Sequence, residues 1–287
     1  PLLAYSIEAA LASGLFDTVH VSTDSERYAD IARQYGADEP FLRSAETSSD
    51  TASSEDAIRE VLRRYEEMGQ RFDAFMLLQP TSPLRTADDI RAAFGVMEEK
   101  QAESVVSVCE MEHSPLWCNT LPPDGSMRAF IRADGNKRRQ ELETYYRMNG
   151  AVYLVKTEHF LRTGSLYGDG CYAYIMSAER SVDIDNPTDF LFAECLLNAQ
   201  RGCSPTIRVG FESAEIVIRL PKPQTSAKND SSIRTTWLRL TRMRPPGQVQ
   251  QPPSKIPRIV QIMFAGTQVD ATSCIACIAS SFQTQLL

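Results

Sequence analysis

An apolar run that stops abruptly at polar turn residues is the feature of this sequence that most constrains its fold. Residues 72–78 are almost entirely apolar, and Gln79-Pro80-Thr81-Ser82-Pro83 follows directly. Such a run predicts a strand that is covered on both faces, as in a parallel sheet. Polar residues immediately after it are typical of the carboxyl edge of an α/β sheet, where ligands bind. The sequence therefore favours an α/β fold with functional groups at its strand ends.

Residues 1–202 alternate between helical and strand patterns. Helices are predicted where apolar residues recur at helical spacing between cap and stop residues, at 2–13, 26–35, 54–68, 86–100 and 190–199. Strands are predicted for the short apolar or β-branched runs at 18–22, 72–78, 104–109, 150–155, 172–176 and 181–185. The alternation indicates a mainly parallel, doubly wound sheet.

Charge divides the chain into two parts. Residues 1–202 hold 33 Asp+Glu against 20 Lys+Arg, whereas residues 203–287 hold 4 against 10 and contain eight of the 16 prolines. The acidic part argues against nucleic acid as a partner, and the basic part lacks the interleaved aromatics of a single-strand platform. We expect a domain at 1–202 and a Pro-rich basic tail at 203–287 that is disordered or non-native. Runs at 259–264 and 274–279 could each form a strand, but nothing indicates a partner.

Composition also limits the cellular context. The sequence is 43% hydrophobic and 23% charged, as in globular proteins, and contains neither an 18-residue apolar stretch nor a signal peptide. Seven cysteines without framework spacing fit reduced thiols in the cytoplasm. Cys274 and Cys277 lack the second ligand pair of a zinc site, so their spacing is read as accidental.

Asp183 and Asp185 form the most informative polar pair. They alternate with Val182 and Ile184, so on a strand both carboxylates point to one side. The ordinary interpretation is capping of the next helix, but Asn186 and Asp189 already supply a cap and a capping box, with Pro187 at the first helical position. Paired carboxylates suit Mg²⁺ held against phosphates, and we favour that interpretation.

Three further segments carry weaker signals. Gln79 ends a buried strand, and its amide needs partners that a ligand could supply, although Pro80–Pro83 could be a plain turn and Arg85 a surface charge. The small-polar loop at 43–54 suits a nucleotide, although most such loops are only solvated. Residues 111–145 leave the sheet pattern and could form a β-arm; Lys137–Arg139 reads first as surface charge, whereas Arg147 and Asn149 directly precede a strand.

Taken together and in chain order, these segments resemble the acylneuraminate cytidylyltransferases, which are also called CMP-sialic acid synthetases. The matching motifs are Val21-Ser-Thr-Asp24, Arg43-Ser-Ala-Glu46, Ser49-Asp-Thr-Ala-Ser-Ser54, Leu77-Leu-Gln-Pro-Thr-Ser-Pro-Leu-Arg85, Arg138-Arg-Gln140, Arg147-Met-Asn-Gly-Ala151 and Val182-Asp-Ile-Asp185. The resemblance covers about residues 1–200. It implies a Rossmann-like nucleotidyltransferase fold, Mg²⁺ dependence, and a homodimer built by the 111–145 arm.

The resemblance also implies a reaction: a sialic-type sugar acid attacks the α-phosphate of CTP, giving a CMP-sugar and pyrophosphate. The implied metal ligands are Asp183 and Asp185, the second also catalytic. The implied nucleotide contacts are Arg43, Ala52, Ser54 and Gln79. The implied sugar contacts are Gln79, Arg147 and Asn149, with Arg138 or Arg139 near the reacting centre, from either subunit. The Arg-x-Asn-Gly form favours sialic-type sugars over pseudaminic acid and leaves legionaminic acid open.

The chain departs from the family pattern at its start. Pro1 lies just downstream of where a first strand and a basic, glycine-containing phosphate loop belong, so we interpret the chain as N-terminally truncated. A noncatalytic dimeric module that binds sugar nucleotide is therefore the alternative to a working enzyme. A glycosyltransferase that uses the aspartate pair is a third hypothesis, which the Arg-x-Asn-Gly segment fits poorly.

Overall fold

The computed structural model describes residues 1–49, 51–128, 130–131, 135–200, 208–212, 215–219 and 257–265. They belong to two compact units, one formed by residues 1–196 and 257–287 and the other by residues 197–256. In the second unit, strands β6 (Arg208–Glu212) and β7 (Glu215–Arg219) pair as an antiparallel hairpin. The candidate site discussed below lies in the first unit.

Six α-helices and six strands are described for the larger unit. The sixth helix ends at Gln200, four residues past the boundary of that unit. The helices are α1 (Leu2–Ser13), α2 (Glu26–Gln34), α3 (Ser54–Glu67), α4 (Ala87–Lys100), α5 (Thr157–Thr163) and α6 (Pro187–Gln200). The strands are β1 (Thr18–Ser22), β2 (Ala74–Leu77), β3 (Ser104–Glu110), β4 (Tyr146–Lys156), β5 (Cys171–Met176) and β8 (Ile259–Phe264).

Local sequence explains where several helices begin and end. Ser53 and Asp56 form a capping box at the start of α3, and Thr86 and Asp89 form one at the start of α4. Each box satisfies backbone donors that a helix start would otherwise leave unpaired. Helix α1 ends at Gly14, whose φ of 67° is the left-handed conformation that glycine adopts readily.

The strands form one sheet in the order β1-β8-β2-β4-β3-β5. The pairs β1–β8, β8–β2 and β3–β5 are parallel, and β4 is antiparallel to both of its neighbours. Helices α1 and α4 contribute to an apolar cluster that includes Ile7, Ile90 and Met76. Helices α3 and α5 contribute to a second cluster that includes Ile58, Phe160 and Phe75. Neighbouring strand residues join different clusters, so the expected mostly parallel, doubly wound α/β sheet is confirmed.

Strand β8 joins the sheet from the far end of the sequence. Its residues pair with all of β1 on one side and all of β2 on the other. At its start, Asp17 Oδ2 and Asp73 Oδ2 accept hydrogen bonds from the backbone nitrogens of Ile259 and Arg258, both at 2.7 Å. The strand that the sequence left without a partner thus fills an interior position of the sheet, and a disordered tail from residue 203 onward does not describe this segment.

Two other expectations are corrected. Residues 181–185 form no strand, because Ile184 N donates to Thr81 O (2.9 Å) in a loop rather than to a neighbouring strand. The described part of 111–145 contains no β-arm; it forms turns and two short 3₁₀ helices, Pro115–Trp117 and Arg139–Glu141. Trp117 Nε1 donates to Gly135 O at 2.8 Å and helps to fold this excursion onto itself. The predicted strand at 274–279 and the Cys274–Cys277 spacing lie outside the described residues.

Two further observations concern the described residues only. None of their helices is both long enough and apolar enough to cross a bilayer. Cys109, Cys118, Cys171 and Cys195 are free thiols.

Candidate active site

The antiparallel direction of β4 brings two predicted segments to one edge of the sheet. Gln79 lies just beyond the carboxyl end of β2, and the register pairs Leu77 with Tyr153 of β4. Because β4 runs the opposite way, its early residues Arg147 and Asn149 lie at the same edge as Gln79. The amide of Gln79 reaches Gly150: a Cβ placed on Gly150 would lie 2.2 Å from Gln79 Oε1.

Arg85 fixes the loop that follows β2. It is only 3% exposed, and its Nη1 donates to the carbonyls of Gln79 (3.4 Å), Ser82 (3.2 Å) and Ala151 (3.0 Å). Burial lowers the pKa of Arg85 to about 9, and the charge of Asp89 partly offsets this. A buried, forked donor of this kind holds several carbonyls at once. Arg85 is therefore a clamp for the Gln79 loop and not a surface charge.

Asp89 ties the same region to the segment that leads to the aspartate pair. Although burial opposes its ionisation, hydrogen bonds from Thr86, Arg180 and Tyr174 hold the pKa of Asp89 below its ordinary value. Arg180 Nε lies 3.0 Å from Asp89 Oδ2, and the Tyr174 hydroxyl donates to Oδ1 at 2.9 Å. In the sequence, Asp89 lies in the first turn of the helix predicted at 86–100, and no local signal links it to Arg180.

Asp183 lies at this edge as a half-buried carboxyl group. Its Oδ1 is buried and has no hydrogen-bond partner among the described residues. Burial raises the pKa of Asp183, the negative charges of Asp185 and Asp189 add to the rise, and a hydrogen bond from Thr81 and the charge of Arg147 oppose it. The carboxyl group therefore lies among the Gln79 loop, Arg147 and Asp185, and carries an electrostatic cost that a cation would relieve.

Neither Asp183 nor Asp185 caps helix α6 with its side chain, because Asn186 and Asp189 fill that role, as the sequence predicts. Asn186 Oδ1 accepts from the backbone nitrogens of Thr188 (2.9 Å) and Asp189 (3.1 Å) at the start of α6. Asp189 Oδ2 accepts in return from the backbone nitrogens of Asp185 (3.0 Å) and Asn186 (3.1 Å). Asp185 itself is exposed. Both aspartates are thus available for another task.

Asn149 and Arg147 differ in what they can offer a ligand. Asn149 is 1% exposed; its Oδ1 accepts from Ser107 Oγ (2.6 Å) and its Nδ2 donates to Ser181 Oγ (2.8 Å). Arg147 is exposed, and its Nη2 donates to Ser181 O at 3.2 Å. Asn149 is therefore a buried link between β4 and Ser181, two residues before Asp183. Arg147, in contrast, presents its guanidinium group to solvent. Their predicted sugar contacts stay predictions.

The small-polar loop at 43–49 is anchored by one buried carboxylate. Glu60 of α3 accepts from Ser44 N (3.0 Å) and Ser44 Oγ (2.9 Å), bonds the Thr47 hydroxyl, and pairs with Arg64 Nε at 3.1 Å. These bonds hold the pKa of Glu60 below its ordinary value although burial opposes them. Ala52 and loop residues line a cavity of about 510 Å³ between this loop and the start of α3, where Ser54 is the first helical residue.

The structure therefore gathers the predicted residues into groups. Gln79, Arg147, Asn149 and Asp183 are connected at one edge of the sheet through the contacts above, with Asp185 adjacent. Arg43 lies beyond the end of β1, where its backbone nitrogen donates to Thr23 O at 2.8 Å. Arg138 and Arg139 are exposed on the 111–145 excursion, and Arg139 lines a separate cavity of about 400 Å³ with Tyr146 and Met176.

Comparison with known proteins settles which family carries this site. The cytidylyltransferase family model matches residues 1–202. The chain belongs to the cytidylyltransferase family. It is 34% identical over 204 residues to the CMP-N,N'-diacetyllegionaminic acid synthase of Legionella pneumophila, covering 69% of this chain and 85% of that protein. The expectation of an enzyme of the sialic-type cytidylyltransferase family is confirmed.

Two further similarities refine this membership. An N-acylneuraminate cytidylyltransferase of Escherichia coli is 38% identical over 193 residues, which is 67% of this chain but only 45% of that protein. This chain thus matches less than half the length of that relative. A solved CMP:2-keto-3-deoxy-manno-octonic acid synthetase in complex with CTP aligns with a TM-score of 0.51 at 13% identity, covering 70% of this chain and 88% of that one. At that identity the likeness concerns the fold alone.

Proposed function

We propose that this cytidylyltransferase couples CTP to a sialic-type sugar acid, with Mg²⁺, to give a CMP-sugar and pyrophosphate. The observation that carries the proposal is the half-buried Asp183. Its Oδ1 has no hydrogen-bond partner among the described residues, and its carboxyl group interacts with Thr81 of the Gln79 loop and with the charges of Asp185 and Arg147. The relatives named for legionaminic acid and N-acylneuraminate support the substrate class. The proposed location is the cytoplasm, which the cysteines without framework spacing suit.

The donor set of this site fits a divalent cation. Mg²⁺ is usually held by one or two carboxylates, with water and substrate phosphates completing its coordination. Asp183 and Asp185 supply two such carboxylates, and the described residues contain no group of three or more His, Cys, Asp and Glu side chains arranged for a metal. When bound, the cation would neutralise charge on the reacting phosphates.

The chain's own residues orient the substrates in this proposal. The loop held by Arg85 places the Gln79 amide against Gly150, so Gln79 is positioned to bind a substrate hydroxyl or carbonyl. Arg147, exposed beside Asp183, supplies a planar fork suited to the sugar carboxylate. Ala52 lines the loop cavity that would take the cytidine, and Arg43 and Ser54, at the two ends of the 43–54 segment, are the other proposed nucleotide contacts. Little covalent chemistry falls to the protein, because positioning and charge stabilisation account for most catalysis of phosphoryl transfer.

A homodimer is the proposed assembly. Apolar side chains stand exposed on the 111–145 excursion and on the neighbouring ends of β4 and β5: Leu121 (60%), Met127 (57%), Ile131 (47%), Tyr146 (47%), Met148 (56%) and Ile175 (57%). Contiguous exposed apolar surface commonly marks a protein interface, and these are the side chains that a second copy would cover in this proposal. A second copy would also bring its Arg138 and Arg139 near the site. Light scattering of the wild type and of Ile175→Glu tests this proposal, since the charged variant should be monomeric.

The activity is tested by pyrophosphate release from CTP with N-acetylneuraminate, legionaminic acid and pseudaminic acid as separate acceptors. We expect Mg²⁺-dependent release with one of the first two and none when Asp185→Asn replaces the wild type. Binding of CTP without release, with every acceptor, would contradict the proposal and favour a noncatalytic binding module.

A further inference from the structure

The end of β8 lies between the ends of the two strands that lead into the nucleotide and sugar segments. Ala265 N donates to Ser22 O of β1 at 3.1 Å, and Leu78 N donates to Ile262 O at 3.0 Å. Phe264 is therefore held between the Ser22–Thr23 end of β1 and the Leu78–Gln79 end of β2. A residue from the far C-terminal part of the chain thus lies at the functional edge of the sheet.

Phe264 also contacts Arg43. The Arg43 Cζ atom lies 5.9 Å from the centroid of the Phe264 ring, within the range of a cation–π contact. Arg43 Nε donates to Ser48 Oγ at 3.1 Å, and Arg43 N donates to Thr23 O at 2.8 Å. The side chain is thereby fixed by a ring on one side and by the polar loop on the other. Phe264 is partly buried against the cluster of α3 and α5 and cannot move freely away.

We propose that Phe264 is a positioning residue for nucleotide binding, and that it acts by holding the Arg43 guanidinium group in place. The proposal rests on the function proposed above, in which Arg43 contacts the cytidine. It makes strand β8 part of the nucleotide site as well as part of the sheet. In the sequence, nothing links residue 264 to residue 43, because the contact depends on the insertion of β8 between β1 and β2.

Matched substitutions at residue 264 test the proposal. Phe264→Leu keeps an apolar side chain on the strand but removes the ring, whereas Phe264→Tyr keeps the ring. We expect Phe264→Leu to weaken CTP binding by about two- to fivefold, the low end of the range for cation–π contacts, because both side chains are only partly buried. The Kd for CTP by calorimetry and the KM for CTP should both rise, while kcat and the KM for the sugar acid stay constant. Phe264→Tyr should match the wild type.

A double-mutant cycle separates positioning from damage to the strand. In an Arg43→Met background, Phe264→Leu should have no further effect on the Kd for CTP, because the group that the ring positions is gone. Met263→Leu, on the same strand but packed in the opposite cluster, is the control and should leave CTP binding unchanged.

The results distinguish this proposal from the proposed function. An unchanged Kd in Phe264→Leu, or equal effects of Phe264→Leu with and without Arg43, would overturn the positioning role. Absence of pyrophosphate release by the wild type would contradict the proposed reaction, while the coupling in CTP affinity would still be measurable.

Discussion

Gly150 has no side chain at the point where Gln79 lies against its backbone. A Cβ there would lie 2.2 Å from Gln79 Oε1 and 3.3 Å from Ser82 Oγ, and the φ of Gly150 is 72°. The glycine of the Arg-x-Asn-Gly segment is thus required by a contact with the loop after β2. Two motifs that are about 70 residues apart in the sequence depend on each other.

Gly150→Ala should therefore displace Gln79. We expect a loss of about 1–3 kcal/mol in the free energy of unfolding, from the left-handed backbone and the close contact. The KM for the sugar acid should rise more than the KM for CTP. Urea unfolding and steady-state kinetics measure both effects.

Gly95→Ala is the matched control for Gly150→Ala. Gly95 is exposed within α4, and an added Cβ meets nothing within 4 Å. Alanine there should stabilise the protein by about 0.5–1 kcal/mol. Equal behaviour of the two variants would show that the contact between Gly150 and Gln79 has no energetic role.

Asp183→Asn should abolish activity while stability stays equal or rises. The carboxylate is ionised at a cost, because burial and the neighbouring aspartates raise its pKa, and an amide removes that cost. A fall of about 100-fold or more in kcat is expected if the group holds a cation against phosphate. Thermal unfolding and pyrophosphate release are the measurements; a large loss of stability would point to a structural role.

Asp185→Asn should also lose activity, with a melting temperature within about 2 °C of the wild type, as is usual for an exposed position. Asp169→Asn, at another exposed aspartate, is the control and should change neither quantity. Full activity of Asp185→Asn would remove this residue from the proposed metal site.

His20 should make the protein less stable in acid. It is fully buried near Phe41 and Tyr65, and burial lowers its pKa from 6.5 to about 4, although a hydrogen bond with Asp38 O opposes the change. The unfolded chain therefore binds the proton more strongly, and stability is lost as pH falls from 6.5 to 4. The full effect is about 3 kcal/mol.

The comparison of wild type with His20→Phe isolates this effect. Burial raises the pKa of Glu39 to about 8, which gives an opposite trend between pH 4.5 and 8. Both proteins carry Glu39, so its contribution cancels in the difference. The wild type should lose stability relative to His20→Phe as pH falls from 6.5 to 4, by urea unfolding at each pH. A difference that is constant with pH would refute the assignment.

Gln261→Leu should stabilise the protein. Gln261 is fully buried in β8, beside Val19 and Met76, and neither atom of its amide finds a partner among the residues described. Removal of an unpaired buried amide should raise the free energy of unfolding by about 1–3 kcal/mol. Gln34→Leu, at an exposed position in α2, should change it by less than about 0.5 kcal/mol. A destabilised Gln261→Leu protein would indicate a hidden partner for the amide.

Local chemistry predicted most of the elements in residues 1–200. The caps at Ser53 and Asn186 and the stop at Gly14 depend on neighbouring residues only, which is why the helix ranges predicted around them lie close to the observed ones. The prediction of a strand at 181–185 was wrong. Its alternating apolar residues indicate which side chains are buried, but a strand also needs a neighbouring strand to which its backbone can hydrogen-bond. Here the backbone finds Thr81 in a loop instead.

Long-range relationships could not be read from the sequence. The clamp at Arg85 depends on Ala151, and the ion pair of Asp89 depends on Arg180, 91 residues away. The pairing of β8 with β1 joins residues about 240 positions apart. The amino-acid composition of β8 does not indicate which strand it pairs with. The aspartate pair and Gln79 stand out by their sequence pattern alone, whereas the roles of Arg43, Ala52, Ser54, Arg138 and Arg139 follow only from the family resemblance. The structure adds how the aspartates and Gln79 are held.

Because β8 lies between β1 and β2, the sheet cannot be completed until the ribosome has synthesised β8. Between the end of α6 at Gln200 and the start of β8 at Ile259, the ribosome must add 58 residues. At 5–20 residues per second this takes roughly 3–12 s, during which the edges of β1 and β2 wait unpaired in the nascent chain. Exposed strand edges are prone to pair with other chains. Chaperone demand should therefore be greatest just before β8 leaves the exit tunnel.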